Sequence, residues 1–65
     1  MEEKIVLAVK GEGALYLFRR DGQAEFVVAY SNGPVNIGDY VDGWTNGHYF
    51  YKLEDAVEYF KSRKY

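Results

Sequence analysis

"ALYLFRRDGQAEFVVAY", residues 14–30, decides the fold, because two apolar runs of strand length flank the dipeptide Asp21-Gly22. Asp-Gly tolerates positive φ at both central positions of a tight hairpin turn. A two-residue loop there sets Leu17 opposite Phe26, Leu15 opposite Val28 and Tyr16 opposite Val27, and residues paired across strands share a face. β-Branched and aromatic residues fill both arms, as a pleated, half-buried surface favours.

Upstream, "KIVLAVK" at 4–10 has the same composition and ends at Gly11-Glu12-Gly13. A three-residue loop at 11–13 places Val9 opposite Leu15, Leu7 opposite Leu17, Ala8 opposite Tyr16 and Val6 opposite Phe18. Both hairpins then agree on two faces. One carries Ile5, Leu7, Val9, Leu15, Leu17, Phe26 and Val28; the other carries Val6, Ala8, Tyr16, Phe18, Val27 and Ala29. Downstream, Asn46-Gly47 predicts a second hairpin between "DYVDGWT" and "HYFYK", pairing Trp44 with Tyr49, Asp42 with Tyr51 and Gly43 with Phe50. The stretch 31–39, "SNGPVNIGD", contains a Pro and two Gly and reads as a long connection that crosses the sheet or rounds an edge.

The period changes at the end of the sequence. Leu53, Ala56, Val57 and Phe60 recur at i, i+3, i+4 and i+7, which predicts an amphipathic helix over 53–63. Glu54 and Asp55 in its first turn and Lys61, Arg63 and Lys64 at its end complement the helix dipole. Lys52 occupies the position where a capping Ser, Thr, Asp or Asn is expected.

The expected architecture is therefore α+β: one domain, 1–65, with an antiparallel meander and hairpin sheet of about five strands. One C-terminal helix packs on Ile5, Leu7, Leu15, Leu17, Phe26 and Phe50 through Leu53, Val57 and Phe60. A small SH3-like barrel with a C-terminal helix is the alternative.

Composition bounds the partner. The chain has 65 residues and no cysteine, so neither disulfides nor thiolate chemistry supports it. A net charge of −2 has the wrong sign for strong electrostatic binding to nucleic acid. The longest apolar run, Ile5–Val9, is far short of the roughly 20 residues that cross a bilayer. No membrane partner is expected, and a cytoplasmic location is the default.

Aromatic residues make up 18% of the chain, including seven tyrosines and one tryptophan. A single helix covers a single sheet face, so Tyr16, Phe18, Trp44, Tyr49 and Tyr51 collect by pattern on the face left over. Three readings compete for that face: a second core closed by sheet curvature or by the connection, a protein-binding surface, or a stacking platform for single-stranded nucleic acid beside Arg19 and Arg20. The sequence favours a non-enzymatic protein-binding module. Its partner is another protein or a second copy, as for a small inhibitor, adaptor, homodimer or phage-type accessory protein. Nucleic-acid binding on the same five residues is the alternative.

No cofactor, metal site or catalytic residue is expected. His48 stands alone beside the Asn-Gly turn, and reads as a solvent-facing strand residue even with Asp39 and Asp42 in reach. Glu54 and Asp55, adjacent on a helix, point about 100° apart and already serve the dipole. "GEGA" at 11–14 precedes a strand and lacks the lysine and hydroxyl of a phosphate loop. The spacing of "GW…GHYFYK" is similar to the aromatic pattern of a WW domain, but the second Trp and its Pro partner are missing and a helix follows, so no residue role is carried over.

Overall fold

In the computed structural model, which describes residues 1–65, Asp21 and Gly22 take φ of 48° and 77° and join two antiparallel strands. Positive φ at both central positions is the requirement of a type I′ hairpin. The strands are β1 (Glu2–Lys10), β2 (Gly13–Arg20), β3 (Gln23–Ser31) and β4 (Trp44–Phe50), followed by one helix, α1 (Leu53–Ser62). The sheet is an open antiparallel meander in the order β1-β2-β3-β4, so no barrel closes.

Pairing of β2 with β3 follows the expected register, with Leu17 opposite Phe26, Tyr16 opposite Val27 and Leu15 opposite Val28. The β1–β2 register differs. Lys10 pairs with Gly13, so the turn holds two residues, Gly11 and Glu12, and Gly11 at φ 59° supplies the positive φ. A bulge between Val6 and Ala8 then shifts the ladder by one more residue, so that Val6 faces Tyr16 and Ile5 faces Leu17. Beyond that bulge the faces exchange: Ala8 joins Leu15 and Val9 joins Ala14. An extra residue in one strand reverses the side of every residue that follows.

Asn46-Gly47 is not a hairpin turn. Residues 44–50 form one continuous strand against β3, with Phe50 opposite Phe26, Tyr49 opposite Val27, and Trp44 opposite Ser31. The register slips by one between Val28 and Tyr30, where Asn46 takes φ 56°. The dipeptide's tolerance of positive φ therefore serves a bulge. Four strands result, because "DYVDGWT" and "HYFYK" supply one strand between them.

Helix α1 packs Ala56 and Phe60 against Leu15 and Val28, with Leu7, Ala8, Phe26, Phe50, Val57, Tyr59 and Tyr65 around them. It lies over β2, β3 and β4 and makes no comparable contact with β1. Ile5 and Leu17 are accordingly half-buried outside this core, and Leu53 is exposed, so these three do not join the packing expected of them. Lys52 is the N-cap without a side-chain hydrogen bond. At the other end, Lys10 Nζ donates to the carbonyls of Phe60 (3.1 Å), Lys61 (2.9 Å) and Arg63. A cation from β1 thus satisfies helix carbonyls that have no intrahelical partner.

The second face is closed by the connection. Val35 and Val41 pack on Val6, Ala14, Tyr16, Phe18, Val27 and Ala29, together with Trp44. From the end of β3 the chain crosses this face and runs along the outer side of β1. There Val6 N–H donates to Asp39 O (2.9 Å), Gly38 N–H to Val6 O (2.8 Å) and Val41 N–H to Lys4 O (2.9 Å). The molecule is thus a connection, a sheet and a helix in three tiers, with apolar side chains in both gaps.

Candidate functional site

The structure divides the five expected binding residues. Tyr16 and Phe18 lie inside the second core, at 0% and 8% exposure. They therefore present nothing to a partner, and the docking face they were expected to form is internal. The connection that hides them has no hydrophobic periodicity, so only its folded path reveals the closure. Trp44 is half-buried with its ring 4.7 Å from that of Tyr16 and edge-on to Phe18 at 5.6 Å. Lys4 stands over Phe18 and Trp44 at 5.6 and 5.8 Å and donates to Asp42 O at 2.7 Å, sealing the rim.

Closure has an electrostatic consequence. The Tyr16 hydroxyl is buried with no hydrogen-bond partner, and loss of water around it raises its pKa above the ordinary 10.0.

Tyr49 and Tyr51 remain outside, at 53% and 83% exposure. Tyr49 shares the Val27 face, and its hydroxyl accepts a 3.0 Å hydrogen bond from Trp44 Nε1. The bulge makes this possible: Trp44 and Tyr49, five apart, fall on one face because Asn46 and Gly47 together oppose a single β3 position. Gly47 lies beneath the pair, since a Cβ there would come within 2.8 Å of Trp44 Nε1 and 3.1 Å of Tyr49 Cε1. Tyr51 follows the strand and makes no aromatic contact.

Hydrogen-bond alternation shows what the β4 backbone offers. Antiparallel residues use both peptide groups toward one neighbour, then toward the other, in turn. Val6 directs both of its groups to the connection. Its partner Tyr16 must then direct both toward β3, and Val27 both toward β2. Tyr49, opposite Val27, is left with its N–H and C=O pointing away from the sheet. None of the seven backbone hydrogen bonds outside the regular ladders reaches this side of β4. The β1 edge is covered at Lys4 and Val6 by the chain's own connection, whereas no such bond covers the β4 edge.

Residues 44–51, "WTNGHYFY", contain no Asp, Glu, Lys or Arg. His48 is exposed, with its ring 4.9 Å from that of Tyr59 on the helix side. Asp39 is far along the chain's path, on the β1 side, where its carboxylate accepts a 2.8 Å bond from Asn36 N–H. No three His, Cys, Asp or Glu side chains are gathered to hold a metal ion.

Four basic side chains are engaged within the chain itself. Arg19 pairs with Glu3, Arg20 stacks on Phe18 at 5.0 Å, Lys10 caps α1, and Arg63 lies over Tyr59 at 5.3 Å. No helix is long and apolar enough to cross a membrane. Comparison with protein-family models, with curated proteins and with solved structures finds no match.

Proposed function

We propose that this chain is a non-enzymatic protein-binding module that takes a partner by strand addition along β4, with Tyr49 and Tyr51 as the side-chain contacts. The observation that carries the reading is the inequality of the two sheet edges. Residues 38–41 occupy one edge with three backbone hydrogen bonds, while the peptide groups of Tyr49 point outward on the other. Monomeric sheets ordinarily blunt an open edge with charge, proline or a covering segment. Here the edge has neither charge nor proline, and its bulge lies to one side of Tyr49. An extended strand adds main-chain hydrogen bonds to such an edge, and alternate side chains provide selectivity.

A library of random extended peptides, selected for binding to the chain, tests the reading against Tyr49→Pro. Proline there removes an outward N–H and the Tyr49 ring but no hydrogen bond to β3, so the internal ladder survives, and Tyr49→Ala, which keeps the N–H, separates the loss of the edge from the loss of the ring. Selected peptides are expected to lose binding to Tyr49→Pro and to hold their affinity as salt rises, unlike single-stranded nucleic acid. Peptides that bind Tyr49→Pro as well as the parent would refute it.

A further inference from the structure

We propose that the strand added to β4 is β4 of a second copy, paired antiparallel about a two-fold axis at Tyr49. The inference rests on the reading of this edge as a docking site and names its occupant. A hydrogen-bonded antiparallel pair exchanges two N–H···O bonds, so a residue can face its own copy in such a pair only if both of its peptide groups point outward. Tyr49 meets that condition by the alternation derived from Val6.

The same register sets Gly47 against the second copy's Tyr51 and His48 against the second copy's Phe50. Each exposed Tyr51 ring then lands over a glycine roofed by Trp44 and Tyr49, which gives that ring an aromatic seat. On the helix side, His48 and Phe50 already border Tyr59 at 4.9 and 5.4 Å, so the contact continues onto both α1 helices.

Charge allows the pairing and topology closes it. Like charges directly opposite destabilise a strand pair, and self-pairing of an uncharged edge brings none together. Beyond residue 47 the Asn46 bulge interrupts the ladder, which confines it to 47–51. Once the β4 edges are joined, the remaining edge on each copy is the β1 edge, held at Lys4 and Val6 by residues 38–41 and broken after Val6 by the bulge, which disfavours a further strand. Growth therefore stops at two copies, as an isologous interface requires.

Sedimentation velocity from ~1 μM to ~1 mM, a span suited to a small interface, tests the proposal. The parent chain is expected to move from 7.5 kDa toward twice that mass as concentration rises. Tyr49→Lys and Tyr49→Glu each place like charges on the axis and are expected to stay monomeric and folded. Mixed in equal amounts, the two variants are expected to reassociate, because opposite charges then meet at the axis. A parent chain monomeric throughout would overturn the second copy as occupant, while peptide binding lost in Tyr49→Pro would still stand for the edge itself. Variants that dimerise like the parent, or a mixture that fails to reassociate, would overturn the axis at Tyr49. Tyr40 is 70% exposed and bridges to Ile5 on the β1 side, so association abolished by Tyr40→Ser and kept by Tyr49→Lys would move the interface there and equally overturn it.

Discussion

Replacing Gly13 by alanine should destabilise the chain strongly, yet do nothing harmful once Tyr65 is truncated. Gly13 has no positive φ, so alanine suits its strand backbone. The obstacle is packing: a Cβ at Gly13 would stand 2.2 Å from Tyr65 Cγ and 2.4 and 2.7 Å from its two Cδ atoms. The ring rests directly on the Gly13 backbone, edge-on to Tyr30 at 4.9 Å and 6.3 Å from Phe60. Glu12 N–H also donates to Tyr65 O at 2.9 Å, so main chain and ring are seated together. A fully buried tyrosine hides about 200 Å², and a half-buried one about 100 Å², or ~2.5 kcal/mol at ~25 cal/mol/Å². The edge-on pair adds ~0.5–1.5 kcal/mol, and residual burial in the unfolded chain subtracts part of the sum. Expulsion of the ring by Gly13→Ala should therefore cost ~2–3 kcal/mol, which lowers the urea midpoint by about 2 M or more. Tyr65→Ala should cost a similar amount. In the double variant the clash has no partner, and removing a strand glycine should recover up to ~1 kcal/mol. Urea unfolding of the four chains closes the cycle. If the two single losses simply add, to ~4–6 kcal/mol on the same estimates, the seat of Tyr65 on Gly13 is refuted.

Lys10→Met should cost ~1–2 kcal/mol and speed amide exchange in the last turn of α1, because Phe60, Lys61 and Arg63 lose their shared donor; unchanged exchange would deny the cap. Tyr16→Phe should stabilise by ~1 kcal/mol, since the buried hydroxyl has no partner. The same group predicts an alkaline limit. Its folded pKa lies above the ordinary 10.0, so the unfolded chain ionises first, and stability present below that pH falls as pH climbs through 10.0 toward the folded value. Tyr16→Phe should shift the alkaline unfolding midpoint upward, and an unchanged midpoint counts against the burial. Asn46→Val should lose ~1–2 kcal/mol because a β-branched residue resists φ 56°, whereas Asn46→Gly should be nearly neutral; equal losses would place the bulge elsewhere.

The parts legible in the sequence are those specified locally. Asp21-Gly22 fixes its own turn, and the Ala56, Val57, Phe60 spacing fixes the helix face, with Leu53 left outside it. What escaped depends on competition between distant segments. Asn46-Gly47 has the chemistry of a hairpin turn, but β3 extends far enough to pair with residues on both sides of it, and the long ladder outweighs the local turn. The Gly11-Glu12 turn and the bulge after Val6 shift opposite ends of one ladder, so neither shows in alternation alone. The Lys10 cap joins residues some fifty positions apart, and no periodicity signals it.

The aromatic face illustrates the same limit with consequences for function. Pattern alone gathered Tyr16, Phe18, Trp44, Tyr49 and Tyr51 on one side and left open whether that side was wet. The connection decides the matter through two valines, Val35 and Val41, and a run of backbone hydrogen bonds to Val6 and Lys4. Those bonds have two effects. They bury Tyr16 and Phe18, which removes the broad face as a contact surface, and they occupy the β1 edge at Lys4 and Val6. By alternation across the pairs Val6–Tyr16, Tyr16–Val27 and Val27–Tyr49, they also identify which peptide groups on β4 point outward. The segment with the least sequence signal thus moves the proposed site from the face to the opposite edge. Proline substitutions along β4, each measured against alanine at the same position, give the corresponding test of polarity: Tyr49→Pro should fall within about 1 kcal/mol of Tyr49→Ala, whereas His48→Pro, whose N–H faces β3, should cost ~3 kcal/mol or more beyond His48→Ala. Equal costs at the two positions would mean that the alternation does not extend from Val6 to Tyr49.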